Sequence, residues 1–241
     1  MRNLNCFRFK VTEEQIIYTK QLVEYSIEHH PVTDVYAYDK ADTYGLSGVL
    51  RSQEYRFVGS LGEVLFADVY GLPRPKRSFG AVDGQDYGKD FIIPINGQNL
   101  NVDLKTMHRN FRNPYDYYVL DLPAYQLEKP ESQTQCYFHI SVSYDRVNPS
   151  EFTAYFIGFI PKSEVKQYGE WFAAGSLRPN DSGREVLFSR ETYEVMFGDF
   201  ISPPIPTNWQ SIPQFQAIYL SQTHKYTERR QRLDYENMSR Q

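Results

Sequence analysis

The sequence predicts a single α/β domain, and three observations carry that expectation. Two stretches before residue 70 repeat apolar residues at helical spacing. An Asn-Gly pair at 96–97 sits between two short apolar-alternating runs, and further β-branched and aromatic runs recur after it. No Pro/Gly/Ser-rich linker divides the 241 residues, so one elaborated domain is expected, with a core at about 52–170, an N-terminal helix at 12–29 and a C-terminal extension at 171–241.

Residues 12 to 29 read as a helix. Thr12 is placed to cap it, Glu13 and Glu14 fall in the first turn, and Ile16, Leu22, Val23 and Ile27 supply an apolar stripe. His29 and His30 precede Pro31, a pair that fits carbonyl capping as well as a metal role. Val32 to Gly48 is polar and rich in Tyr and Asp, and reads as a loop. The second helix runs from Ser52 to Val69, with Phe57, Leu61, Val64, Leu65 and Val69 at roughly helical spacing. It contains Gly59 and Gly62, each costing about 1 kcal/mol against alanine, and close approach to a sheet is the ordinary compensation. Glu63, beside Gly62, is either a carboxylate held near that sheet or a solvent-facing residue. The breaker segment Gly71 to Arg77 carries Arg74, Lys76 and Arg77, which suit a phosphate backbone or a solvated loop. Asp83, Asp86 and Asp90 follow closely, but a calcium loop is excluded: its fifth position is Tyr87 and its twelfth is Pro94.

The stretch from Asp90 to Thr106 places its polar residues in space without knowledge of the fold. A two-residue turn at Asn96-Gly97 pairs Ile95 with Gln98, Pro94 with Asn99, Ile92 with Asn101 and Asp90 with Asp103. Alternation then puts Phe91, Ile93, Ile95, Leu100, Val102 and Leu104 on one face. Asp90, Asn99, Asn101, Asp103 and Lys105 share the other. Opposed carboxylates with Cβ atoms roughly 5 Å apart repel by about 3 kcal/mol at an effective dielectric near 20, whereas a good cross-strand pair returns less than about 1 kcal/mol. The arrangement asks for a cation: either Lys105 itself, or a hard divalent ion such as Mg²⁺ seated on the two carboxylates.

Beyond the hairpin, His108, Arg109 and Arg112 form a basic loop suited to phosphate or to neighbouring acids. Strands are expected at Tyr117 to Leu122, Tyr137 to Tyr144, Thr153 to Ile160 and Glu185 to Ser189, and a short helix or turn from Pro161 to Tyr168. A last helix around Tyr226 to Asn237 carries Arg229, Arg230 and Arg232, read as a solvated face or a nucleic-acid contact.

Composition bounds the function. With 41% hydrophobic and 23% charged residues the chain is of the soluble globular class, and it has no 18-residue apolar stretch to span a membrane. Met1 to Lys10 does not resemble a secretory signal and only Cys6 and Cys136 could pair, so a reducing cytoplasm is the expected compartment. The net charge of −4 does not advertise nucleic acid, although a basic groove can sit on an acidic protein.

Together, Gly62-Glu63, Asp90-Phe91-Ile92-Ile93, the Asn-Gly hairpin and Val102-Asp103-Leu104-Lys105-Thr106 resemble the PD-(D/E)XK nuclease superfamily. The resemblance covers about residues 52 to 106. It implies a restriction-endonuclease-like fold, a mixed central sheet flanked by helices in the order helix, three strands, helix, strand, with N- and C-terminal helical or irregular elaborations. It also implies roles: Asp90 and Asp103 as Mg²⁺ ligands, with Mn²⁺ as a substitute, Lys105 as the residue that positions the attacking water, and Glu63 as an additional helix carboxylate. Lys89 stands where the family motif has proline, which leaves Asp86 as the alternative to Asp90; hairpin pairing favours Asp90. The function implied is Mg²⁺-dependent endonucleolytic cleavage of DNA, possible as a homodimer. A non-catalytic nucleic-acid-binding module on the same fold, and a structural protein in which Lys105 neutralises the acidic pair, are the alternatives.

Overall fold

Thr12 separates a strand from a helix in a computed structural model that describes residues 5–29, 48–76, 90–95, 97–110, 113–130, 132–146, 149–179 and 185–239. Before it lies β1 (Asn5–Lys10) and after it α1 (Glu13–His29). Thr12 Oγ1 accepts from Gln15 N at 3.2 Å while Gln15 Oε1 accepts from Thr12 N at 2.9 Å, a reciprocal capping box that satisfies two otherwise orphaned donors. The second helix, α2 (Gly48–Tyr70), begins four residues earlier than its apolar spacing predicts. The segment of His30 to Ser47 and that of Arg77 to Lys89, with Asp83 and Asp86, lie outside the described residues.

The hairpin follows as β2 (Phe91–Ile95) and β3 (Gln98–His108), then β4 (Val119–Pro123) and the short α3 (Ala124–Glu128). β5 (Cys136–Ser143) and β6 (Thr153–Pro161) come next, both almost wholly buried, as expected of strands covered on two faces. The remaining elements are α4 (Val165–Tyr168), β7 (Glu170–Phe172), β8 (Leu177–Pro179), β9 (Glu185–Leu187), β10 (Thr192–Met196), β11 (Gln216–Tyr219) and α5 (His224–Ser239).

The protein is of mixed α/β class. Its main sheet has six strands in the order β11-β1-β6-β5-β3-β2, every neighbouring pair antiparallel except β3 and β5. A parallel pair needs a long crossover, and residues 109–135 supply it. One face of the sheet packs on the two long helices: Val58, Leu61, Leu65, Phe66 and Val69 of α2 meet Phe7, Phe9, Val102, Leu104, Phe138 and Phe156. The other face is covered by a second sheet, β4-β10-β7, and the turn Phe197–Asp199, with Leu120, Leu122, Val195, Phe197 and Phe200 against Tyr137, Tyr155, Ile157 and Ile160.

Two features depart from the sequence-based expectation. Residues outside 52–170 complete the core: β1 lies inside the six-stranded sheet, β11 edges it, and β10 centres the covering sheet. Of the arginines of α5, Arg229 and Arg230 are enclosed and Arg232 is exposed, and all three are held in ion pairs. Arg229 pairs with Glu170 and with Glu194, whose side chain has no exposed surface, Arg230 with Asp199, and Arg232 with Glu170. Their partners come from β7, β10 and the Phe197–Asp199 turn, so the ion pairs bind the terminal helix to the covering sheet. No helix among the described residues is long and apolar enough to cross a membrane.

Candidate functional site

The hairpin has the register its turn predicts. Ile95 faces Gln98, Pro94 faces Asn99, Ile93 faces Leu100, Ile92 faces Asn101 and Phe91 faces Val102. Gly97 takes φ +79°, the left-handed region a tight turn of this kind requires. Burial follows the alternation: Ile93, Ile95, Val102 and Leu104 are buried, while Ile92, Pro94 and Asn99 are exposed.

Asp90 stands one residue before β2, where the register with β3 ends at Phe91 and Val102. Its N–H donates to Val102 O at 2.8 Å. β3 runs on past the start of β2, so the N–H of Leu104 points where the next strand residue would have been. The Asp90 carboxylate fills that gap, with Oδ2 accepting from Leu104 N at 2.6 Å. A buried backbone donor left alone would cost about 1 to 3 kcal/mol, and this contact removes the cost while fixing the carboxylate beside β3.

Asp103 and Lys105 occupy the same face of β3, two residues apart, with Lys105 Nζ 2.6 Å from Asp103 Oδ1. Both are largely enclosed, their side chains 22% and 15% exposed for Lys105 and Asp103 respectively. The Tyr137 ring of the neighbouring β5 lies 5.7 Å from the ammonium, within reach of a cation–π contact. Burial, and then the Asp103 charge, push the Cys136 thiol up to about 12 and raise the Tyr137 phenol by the same two causes.

Glu63 lies on α2 beside Gly62. Thr106, like Val102 and Leu104, points toward α2, and the helix reaches it at Gly62: a Cβ there would stand 1.8 Å from Thr106 Oγ1. Close approach therefore accounts for Gly62, as its cost in a helix suggests, but not for Gly59, around which nothing lies within 4 Å. Half-buried Glu63 rides next to this contact, while strand parity directs Asp103 and Lys105 away from α2. Among the described residues no three His, Cys, Asp or Glu side chains form a metal-holding group. The hairpin sets Asp90 against Leu104 N and places the Asp103–Lys105 ion pair on the same strand, and Glu63 sits on α2 beside the Gly62–Thr106 contact with β3.

Carboxylate oxygens such as those of Asp90 and Asp103 are of the donor type that Mg²⁺ takes. That ion dehydrates reluctantly, keeps several waters and is commonly held by one or two carboxylates plus substrate phosphate, so a closed protein cage is unnecessary.

The basic residues proposed for nucleic acid scatter. Lys76 is exposed after α2, and Arg77 and Arg112 lie outside the described residues. His108 is half-buried with Nε2 2.9 Å from Tyr144 O, its pKa lowered by burial. Arg109 donates to Val119 O and lies over the Tyr118 and Phe197 rings.

Two residues near the site went unremarked in the sequence, Tyr137 and His139. Their signal was the alternation on β5, where Tyr137, His139 and Ser141 interleave with Phe138, Ile140 and Val142. The parallel register then sets Tyr137 beside Asp103 and His139 beside Lys105. No protein-family model, no curated protein and no solved structure matches this chain.

Proposed function

We propose that this chain is a Mg²⁺-dependent endonuclease that hydrolyses DNA phosphodiester bonds on a restriction-endonuclease-like core, in the cytoplasm. The single observation that carries the reading is a hairpin that sets the Asp90 carboxylate against Leu104 of β3, next in sequence to the Asp103–Lys105 ion pair. The chain order α2, β2, β3, β4, α3, β5 supports it, being the helix, three strands, helix, strand of that family; β4 departs by pairing with β10 instead of the hairpin. Buried free thiols at Cys6 and Cys136 agree with a reducing compartment.

Asp90 and Asp103 would hold the ion, and Glu63 would need to reach across from α2 to join them. When bound, Mg²⁺ would supply positive charge against the phosphate and acidify a nearby water. Asp103 orients the Lys105 ammonium through their ion pair, and the ammonium in turn donates to the attacking water or to a phosphate oxygen as charge develops there. Enclosure of both side chains strengthens these interactions relative to water.

The 2.6 Å contact equally favours a second reading, in which Lys105 does no more than neutralise the acidic pair. Cleavage assays on supercoiled, linear, single-stranded and branched DNA with Mg²⁺ separate the two. The nuclease reading expects Mg²⁺-dependent nicking that falls by about 10² or more in Lys105→Ala and Asp103→Ala. Equal activity in wild type and both variants would refute it.

A further inference from the structure

β5 carries a buried histidine for which the proposed chemistry has no direct use. His139 has no exposed surface, lies beside Lys105 in the parallel register, and shares the sheet face of Asp103 and Lys105. Its Nδ1 is 2.7 Å from the Lys105 carbonyl oxygen and its Nε2 is 2.9 Å from Ser141 Oγ. A carbonyl only accepts, so Nδ1 carries the ring proton, and in the neutral ring Nε2 accepts from the Ser141 hydroxyl. Burial and the nearby Arg109 guanidinium keep the imidazole well below the usual histidine range, which holds it neutral. The rings of Phe197 and Phe200 wall it in, with centroids 4.8 and 6.4 Å away.

The sheet is distorted at this point. The β5–β6 register shifts between His139 and Ile140, opposite Gly158, whose φ of +136° and backbone approach to Ile201 O exclude a side chain there. Bulges of this kind re-aim side chains and recur beside functional sites. On the far side of β3, the Asp90 carboxylate holds Leu104 N. Side chains therefore grip β3 from both edges on either side of the Leu104–Lys105 peptide, a carboxylate on the Leu104 N–H and an imidazole on the Lys105 carbonyl.

We propose that His139 is a positioning residue: its Nδ1–H fixes the Lys105 carbonyl and so aims the ammonium, while the Ser141 hydroxyl holds the ring from Nε2. The proposal rests on the nuclease reading of Lys105. Its catalytic test is steady-state cleavage with Mg²⁺ by wild type, His139→Asn, His139→Leu and Ser141→Ala. Its structural test is the imidazole ¹⁵N spectrum at pH 7, which reports the tautomer without any activity. The neutral Nδ1–H form is expected in wild type. His139→Asn, whose amide N–H can occupy the place of Nδ1–H, keeps kcat within about threefold, whereas His139→Leu lowers kcat by about tenfold or more at unchanged KM. Should His139→Leu fail to fold, Ser141→Ala decides: a kcat reduced about threefold with the Nδ1–H tautomer kept supports the role, and an unchanged kcat overturns it. An Nε2–H ring in wild type, or equal kcat in the Asn and Leu variants, overturns it with cleavage intact. Absence of cleavage by the wild type refutes the nuclease reading instead, and is recognised because the ¹⁵N result stands apart from it.

Discussion

Replacing Gly62 by alanine sets two opposed effects against each other at the place where α2 touches β3. A Cβ in a helix interior is worth about 1 kcal/mol of propensity. The same atom would stand 1.8 Å from Thr106 Oγ1, 2.7 Å from its Cβ and 2.9 Å from its Cγ2. Rotation of Thr106 can move Oγ1 and Cγ2, but Cβ is fixed to the strand backbone, and ordinary carbon contact begins at about 3.5 Å. Helix and strand must therefore part by nearly 1 Å along a core in which Leu61, Leu65, Val102 and Leu104 are packed. Overpacking of this kind costs about 1 to 3 kcal/mol, and the need to move backbone puts Gly62→Ala at the upper end. Net destabilisation is expected at about 1 to 2 kcal/mol, a fall in Tm of about 3 to 8 °C for a chain of this length. Gly59→Ala, on the same helix with open space around it, is expected to stabilise by about 0.5 to 1 kcal/mol. Thermal and urea unfolding followed by circular dichroism read both, and Thr106→Ala should return only part of the Gly62→Ala loss, because the Cβ contact remains. A Gly62→Ala protein as stable as wild type, or a common sign for the two glycine variants, would refute the packing argument.

Arg229→Leu takes one of two arginine partners from the buried Glu194 and removes a partner of Glu170, and is expected to cost about 3 kcal/mol in urea unfolding. Adding Glu194→Gln should restore part of that loss; full additivity would argue against the ion pair. Burial pushes the Cys6 and Cys136 thiols up to about 12, so the reactive thiolate is scarce at pH 8. Neither cysteine should react with an aromatic disulfide reagent in the native protein, and both should react once it is unfolded in guanidinium; rapid native labelling would contradict the placement of β1 and β5.

What the sequence made readable was local. Asn-Gly set the hairpin register because few turns tolerate positive φ, and unbroken alternation through Val102, Asp103, Leu104 and Lys105 sorted its faces. Thr12 marked the start of α1 through a cap that spans three residues. Gly62 announced a close approach by its cost, without naming Thr106 as the neighbour. The rest depends on partners distant in sequence. β1 reads as an unremarkable six-residue stretch until β6 and β11 flank it, and β4 pairs with β10, some 70 residues later. The arginines of α5 looked like a basic surface because Glu170, Glu194 and Asp199 meet them only in the folded chain. The candidate site divides the same way: the strand register that carries Asp103 and Lys105 follows from one turn, but His139 reaches Lys105 only through the parallel β3–β5 register.

The claim on which the function depends is that the carboxylates of Asp90 and Asp103 form a seat for a divalent ion, and titration of the full chain with Mn²⁺, followed by electron paramagnetic resonance, addresses it without requiring a substrate. Wild type should bind at least one Mn²⁺ per chain, competed by Mg²⁺, with binding lost in Asp90→Asn and in Asp103→Asn and retained in Lys105→Met. Free Mn²⁺ at every protein concentration, or the same bound fraction in wild type and both aspartate variants, would contradict it.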